Sequence, residues 1–146
     1  MLRRFSENPI ADQQKLWDRI VFCWLLGNTD AHIKNFSLLY GKDLRSIRLA
    51  PAYDLVSTVV YESSTREMAF FIGNALLLDD IREASFRETA AEIQIGERFA
   101  LRRYNSICGR FREALREAAA ELQEAGFLKA AEMEERILRK GGCAKL

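Results

Sequence analysis

Gly27-Asn28-Thr29-Asp30-Ala31-His32-Ile33-Lys34-Asn35-Phe36-Ser37 is the stretch on which the reading of this 146-residue chain turns. It crowds an acid, an imidazole, an amine and two carboxamides between two apolar runs. Polar groups at that density do not pack as core without partners, so they face solvent, one another or a ligand. On its N-terminal side Leu16, Trp17, Ile20, Val21, Trp24 and Leu25 recur every three or four residues. That spacing predicts a helix from Asp12, its expected N-cap, to about Leu26, with one face buried. Gly27 supplies the stop. Trp17 and Trp24 lie a heptad apart and read as core aromatics. Met1 to Ala11 reads as an irregular lead-in, with Pro9 marking the approach to the helix.

On the C-terminal side, Phe36 to Tyr40 and Ile47 to Ala50 are short apolar runs around Gly41-Lys42-Asp43. They predict an antiparallel hairpin. Pro51 cannot donate to a strand ladder, so pairing should loosen just before Asp54, in Leu49-Ala50-Pro51-Ala52-Tyr53-Asp54-Leu55. A carboxylate leaving a strand end in this way is aimed at a cleft. Val56 to Arg66 is expected to be an exposed loop, and Met68 to Ile72 a short strand ending at Gly73-Asn74. The second half reads as helices: one capped by Asp79 or Asp80 and running through Glu92, a long amphipathic one from Glu97 to Ala125, and a last one from Phe127 to Lys140. Phe99, Tyr104, Ile107, Cys108, Phe111, Leu115 and Leu122 form the stripe of the long helix. Its charges from Arg110 to Arg116 alternate in sign and belong on a solvated face. Residues 141–146 are expected to fray. The fold class is mainly α with a small β-hairpin, as a single domain over residues 1–146.

Hydrophobic content of 49% and charged content of 29% describe a globular chain rather than a disordered one. A formal net charge of +1 calls for neither nucleic acid nor an anionic membrane as a direct partner. The longest apolar run, Ile20 to Gly27, is too short to span a bilayer. No basic segment followed by an apolar one opens the chain, so no secretory signal is expected. Cys23, Cys108 and Cys143 are odd in number and widely spaced, which suits reduced thiols in a cytoplasmic protein.

Asp30-x-His32-x-x-Asn35 followed by a separate Asp54 suits phosphoryl transfer. That reaction needs a carboxylate to orient or deprotonate the acceptor hydroxyl, and hard oxygen ligands for the magnesium that bridges nucleotide phosphates. The protein-kinase catalytic loop places its base aspartate five residues before its metal-binding asparagine, and a later aspartate completes the metal site. Asp30 and Asn35 are separated by the same step of five, and Asp54 follows across the hairpin. Lys34 stands where it could neutralise a transferring phosphate. Asp30 and Asn28 also have a plainer reading as turn formers, and Tyr53 and Phe36 as packing against the loop. His32 could instead tie the turn to backbone carbonyls.

These two motifs, together with Arg4-Phe5-Ser6 ahead of the first helix, resemble the C-terminal lobe of HipA-like serine/threonine kinases, the toxins of bacterial toxin–antitoxin systems. The Asp-x-His-x-x-Asn order is also similar to that of phosphatidylinositol kinases. The resemblance implies a protein-kinase-like C-lobe in which Asp30 is the catalytic base. Asn35 and Asp54 are then the magnesium ligands of an ATP site, and His32 and Lys34 support the phosphate or the base. It also implies a protein hydroxyl as substrate and a DNA-binding antitoxin as partner.

The chain departs from that pattern upstream. Only 29 residues precede Asp30, and Gly27 is their only glycine. No glycine-rich strand-turn-strand and no Val-Ala-x-Lys strand fit there, so the expectation is a C-lobe with its N-lobe absent. Without the parts that position ATP, the isolated chain should turn over weakly or not at all. On this reading the chain is either a fragment of a larger enzyme or a lobe that a separate N-lobe polypeptide completes. The alternative is a non-catalytic relic that binds a partner of a toxin–antitoxin system. A metallohydrolase built on Asp30, His32 and Asp54 is disfavoured, because His32 is the only histidine.

Overall fold

The computed structural model describes residues 1–42 and 44–146; Asp43, in the expected hairpin loop, lies outside the described residues. The chain runs through α1 (Leu2–Phe5), α2 (Pro9–Leu26), β1 (Leu38–Tyr40), β2 (Ile47–Leu49), β3 (Glu67–Ile72), β4 (Ala75–Leu77), α3 (Glu83–Glu92), α4 (Glu97–Glu124) and α5 (Ala130–Lys140). Short 3₁₀ turns cover Ile33–Asn35, Thr58–Val60 and Gly142–Lys145. The two antiparallel pairs are β1 with β2, in the register Leu38–Leu49 and Tyr40–Ile47, and β3 with β4. The expected hairpin is present as β1–β2; β4, which pairs with β3 in a separate sheet, is not among the strands the sequence predicts. No helix among the described residues is long and apolar enough to cross a membrane.

α2 is the axis of the core. Its apolar stripe buries Trp17, Ile20, Val21, Trp24 and Leu25. Phe86 of α3 and Tyr104 of α4 close on the two indoles, with Phe86 ring centroids 5.2 Å from Trp24, 6.0 Å from Trp17 and 4.7 Å from Tyr104. These tilted and edge-on contacts are the arrangement that aromatic quadrupoles favour. The Trp17 indole N–H also donates to the Ala100 carbonyl at 3.0 Å, so a polar group buried by the packing is satisfied.

Several boundaries differ from those the sequence predicts. α2 begins at Pro9, and its N-cap is Asn8, whose Oδ1 accepts from Ala11 N at 3.2 Å. Proline at N1 has a preset φ and lacks a donor the first turn would leave unpaired, so the helix starts earlier than Asp12. The lead-in is correspondingly not irregular throughout, since α1 occupies part of it. α3 begins at Glu83 with Arg82 at its cap, because the Asp79 carboxylate is taken by Arg66 and Asp80 N closes a turn on Leu77 O. α5 starts at Ala130, leaving Phe127 and Leu128 exposed on the connecting turn. The stripe of α4 is buried at Tyr104, Cys108 and Phe111 but has left the core by Leu122.

Two segments expected to be exposed are partly core. Within residues 56–66, Val59 and Val60 are buried. Val59 packs on Gly27, which has φ +72°, and a Cβ added there would lie 2.3 Å from Val59 Cγ2. The terminal segment is not frayed either. Gly142 lies flat on Trp24, Cys143 is fully buried, and Arg112 donates to the Cys143 carbonyl at 2.8 Å. Proximity in sequence to the terminus says nothing about the concave seat that α2 and α5 provide for it.

Candidate active site

α2 ends in the left-handed glycine conformation at Gly27, which redirects the chain into the polar turn. The turn is held by its own residues. His32 N donates to Asp30 O at 2.7 Å, and Asn35 N donates to His32 O at 2.9 Å, giving the 3₁₀ turn Ile33–Asn35. Asn35 is thereby folded inward and buried, whereas Asp30, His32 and Lys34 point to solvent.

Asp54 reaches the same place from β2. Asn35 Nδ2 donates to Asp54 Oδ2 at 2.7 Å. Among the described residues no donor reaches Asp54 Oδ1. Asn35 Oδ1 is buried and likewise lacks a partner. A buried carbonyl oxygen left unpaired costs stability, and here it sits beside a half-open carboxylate. Hard oxygens of this kind suit a magnesium ion, which takes few protein ligands and completes its shell with phosphate and water. Asp54 has φ +56°, in the left-handed region that aspartate enters more readily than most residues with a Cβ.

Asn28 ties down the backbone of Asp54 in that conformation. It is almost completely buried; its Nδ2 donates to the Asp54 carbonyl at 3.0 Å, and its Oδ1 accepts from Asp30 N at 3.2 Å. One carboxamide therefore joins the backbone carrying the expected base to the backbone carrying the expected metal ligand. Sequence reasoning placed Asn28 in the turn without seeing this bridge. Tyr53 is a second residue it undervalued: its hydroxyl donates to Lys34 O and lies 2.5 Å from Ser37 Oγ. Downstream, Ser57 Oγ donates to Leu26 O at 2.6 Å and Thr58 Oγ1 to Gly27 O at 3.0 Å. Thr58 Oγ1 also meets Thr29 Oγ1 at 2.7 Å and accepts from Thr29 N. The Asp54 segment is thus stitched to the C-terminal end of α2.

Of the five residues singled out from sequence, Asn35 and Asp54 are in direct contact, and Asp30 is joined to Asp54 through Asn28. His32 and Lys34 lie on the exposed rim, and their side chains have no hydrogen bonds among the described residues. Upstream of Asp30 the chain is occupied by α1 and α2, with no glycine-rich nucleotide-covering hairpin among the described residues.

A family model of the HipA-like C-terminal domain matches residues 1–121. The chain belongs to that family. HipA-like sequences similar to it include Y4mE, a presumed kinase of Sinorhizobium fredii, at 37% identity over 79% of this chain and 27% of the relative. The serine/threonine-protein kinase toxin HipA of Shewanella oneidensis is 37% identical over 44% of this chain and 14% of its own length. The chain spans about a quarter of the length of the S. fredii relative. In three dimensions it matches HipA from the Shewanella oneidensis complex of HipA, HipB and operator DNA, with a TM-score of 0.82 at 25% identity, over 99% of this chain and 34% of that one. The fold, mostly helical with small antiparallel strand pairs, therefore matches about a third of HipA, a protein with a kinase-like fold. Since that neighbour was solved with DNA, the charge-based expectation of no direct nucleic-acid contact gains no support from it.

Proposed function

We propose that this chain is the catalytic C-lobe of a HipA-like serine/threonine kinase, carrying the base and the magnesium ligands for phosphoryl transfer from ATP to a protein hydroxyl. The observation that carries this reading is the Asn35–Asp54 contact, with Asn35 Oδ1 buried and unpaired beside the open oxygen of Asp54. Asn35 and Asp54 would hold Mg²⁺, which when bound draws charge from the nucleotide phosphates. Asp30, exposed and anchored through its backbone to Asn28, would accept the proton of an incoming hydroxyl. Lys34 and His32 flank it on the solvent side, where a phosphate would approach. Kinase relatives and the fold of HipA support the chemistry.

The adenine-binding and phosphate-covering elements would come from residues outside this chain or from a separate N-lobe polypeptide, so the chain alone is weakly active or inactive. An antitoxin is the expected protein partner, on the precedent of HipB in the HipA complex. The three cysteines are free and buried, in keeping with a cytoplasmic setting. The test is Mn²⁺ titration of the chain, with and without ATP, followed by electron paramagnetic resonance. Uptake of one ion that is lost in Asp54→Ala supports the reading. Absence of uptake in the parent chain overturns it in favour of a non-catalytic, partner-binding module.

A further inference from the structure

Two charged side chains of α2 are buried where the core has no need of charge. Asp12 is 2% exposed and Arg19 is 9% exposed. They are seven residues apart, two turns along one face of the helix. Both reach the end of β2, at successive residues. Asp12 Oδ2 accepts from Leu49 N at 2.9 Å and from Ser6 Oγ at 2.7 Å. Arg19 Nη2 donates to the Ala50 carbonyl, while its Nη1 is buried with no partner. Pro51 follows, and Asp54 lies four residues beyond Ala50.

Burying Arg19 with one nitrogen unpaired is costly, whereas Asp12 is compensated by Ser6, Leu49 N and Lys15. Replacing a buried ionic group with an apolar side chain of similar volume is often neutral or stabilising, so stability alone does not account for it. The peptide between Leu49 and Ala50 is, however, gripped from both its sides, its flanking N–H and C=O being taken by opposite charges. Asp54 further on keeps φ +56° without being glycine. With Ser57 on the Leu26 carbonyl and Asn28 on the Asp54 carbonyl, residues 49–57 are tied both to α2 and to the polar turn that follows it, which also supplies Asn35 to Asp54.

We infer that Asp12 and Arg19 are positioning residues for the Asp54 carboxylate, a clamp that fixes the strand end from which Asp54 is presented to a divalent cation. The inference rests on the reading of Asn35 and Asp54 as cation ligands. It adds that α2, and not the polar turn alone, sets their separation. A ligand displaced by a fraction of an ångström loses cation affinity even when its own chemistry is unchanged.

The test uses the full chain with Arg19→Met, which keeps length and removes the donors, and Arg19→Lys, which returns one charged donor. Two readouts are taken: the amide resonances and HN–Hα coupling of Asp54 without metal, which report its φ, and Mn²⁺ affinity by electron paramagnetic resonance. Arg19→Met should shift the Asp54 and Leu55 amides and weaken Mn²⁺ about tenfold, the low end for outer-shell partners of metal ligands. Arg19→Lys should lie between it and the parent. Resonances and affinity that stay at parent values in Arg19→Met overturn the inference, whatever happens to its melting temperature. If Arg19→Met does not fold, Arg19→Lys decides, with unchanged Asp54 resonances counting against the clamp. If the parent chain takes up no Mn²⁺, the phosphoryl-transfer reading falls, and the Asp54 resonances still decide the clamp.

Discussion

Asn35 and Asp54, nineteen residues apart, meet side chain to side chain at 2.7 Å, and the asparagine keeps its other polar atom buried and unpaired. A contact that satisfies one half of a carboxamide and strands the other is poorly built for stability. It is well suited to a group that arrives later.

Asn35→Ala removes one hydrogen bond to a carboxylate, worth about 1.5–3 kcal/mol for a charged acceptor, and also removes the stranded carbonyl oxygen. The two effects oppose each other, so unfolding free energy should change by less than about 1 kcal/mol while Mn²⁺ uptake is lost. Urea denaturation and a metal titration on the same sample check this. A large loss of stability with uptake intact would make Asn35 a structural residue.

Asn28→Ala acts the other way. The carboxamide is 1% exposed and spans the two segments with a donor and an acceptor. Its removal leaves the Asp54 carbonyl and the Asp30 N–H without this partner, at a cost of about 2 kcal/mol or more. Hydrogen exchange should accelerate at Asp30 and through residues 54–58 before the rest of the molecule. Uniform acceleration would mean that the bridge is not local.

Gly142→Ala tests the docked tail. A Cβ at this position would come within 2.5 Å of the Trp24 indole, which is itself fully packed. Overpacking of that kind costs about 1–3 kcal/mol, so the melting temperature should fall by several degrees. An unchanged melting temperature would show that the terminal segment leaves its seat in solution.

Acid should loosen the same region through Asp79. The Arg66 guanidinium bonds this carboxylate at 2.5 and 2.7 Å and, with Lys145 at 3.3 Å, holds its pKa at about 2 instead of 3.8, against burial that works in the opposite direction. A carboxyl group with a depressed folded-state pKa stabilises the fold above its ordinary pKa, and that contribution disappears as pH falls from about 4 towards 2. All three side chains are more than a third exposed, so screening leaves the contribution at under about 1 kcal/mol. Asp12 is also depressed, burial being outweighed by its hydrogen bonds from Ser6 and Leu49 and its Lys15 partner. The difference between the parent and Asp79→Asn therefore isolates Asp79. It should be largest at neutral pH and vanish near pH 2. A difference that persists at pH 2 would point to something other than charge.

Local pattern carried far in this chain. The three- and four-residue spacing from Leu16 to Leu25 declared a buried helix face, and Gly27 declared its end. The apolar runs around Gly41 declared the hairpin, and the step from Asp30 to Asn35 singled out the polar turn that carries the candidate site. These signals are legible because helix period, strand alternation and turn chemistry are properties of neighbouring residues. Asp12 shows the limit of such reading. Its residue type and place suit an N-cap, but Pro9 starts the helix earlier and Asn8 caps it, leaving the carboxylate to face β2.

By itself, then, the sequence determined the helical class, the polar turn, the identity of Asp30, Asn35 and Asp54 as the residues to watch, and membership of a kinase-related family. Tertiary structure decided what those residues are attached to. It turned Asn35 inward and left His32 and Lys34 outward. It joined Asp30 to Asp54 through Asn28, recruited Asp12 and Arg19 to the strand end, and seated Gly142 and Cys143 on Trp24. The physical reason is that a hydrogen bond between residues tens of positions apart depends on where the intervening chain is packed. That packing is set by the burial of α2 against α3 and α4, which no window of neighbouring residues contains.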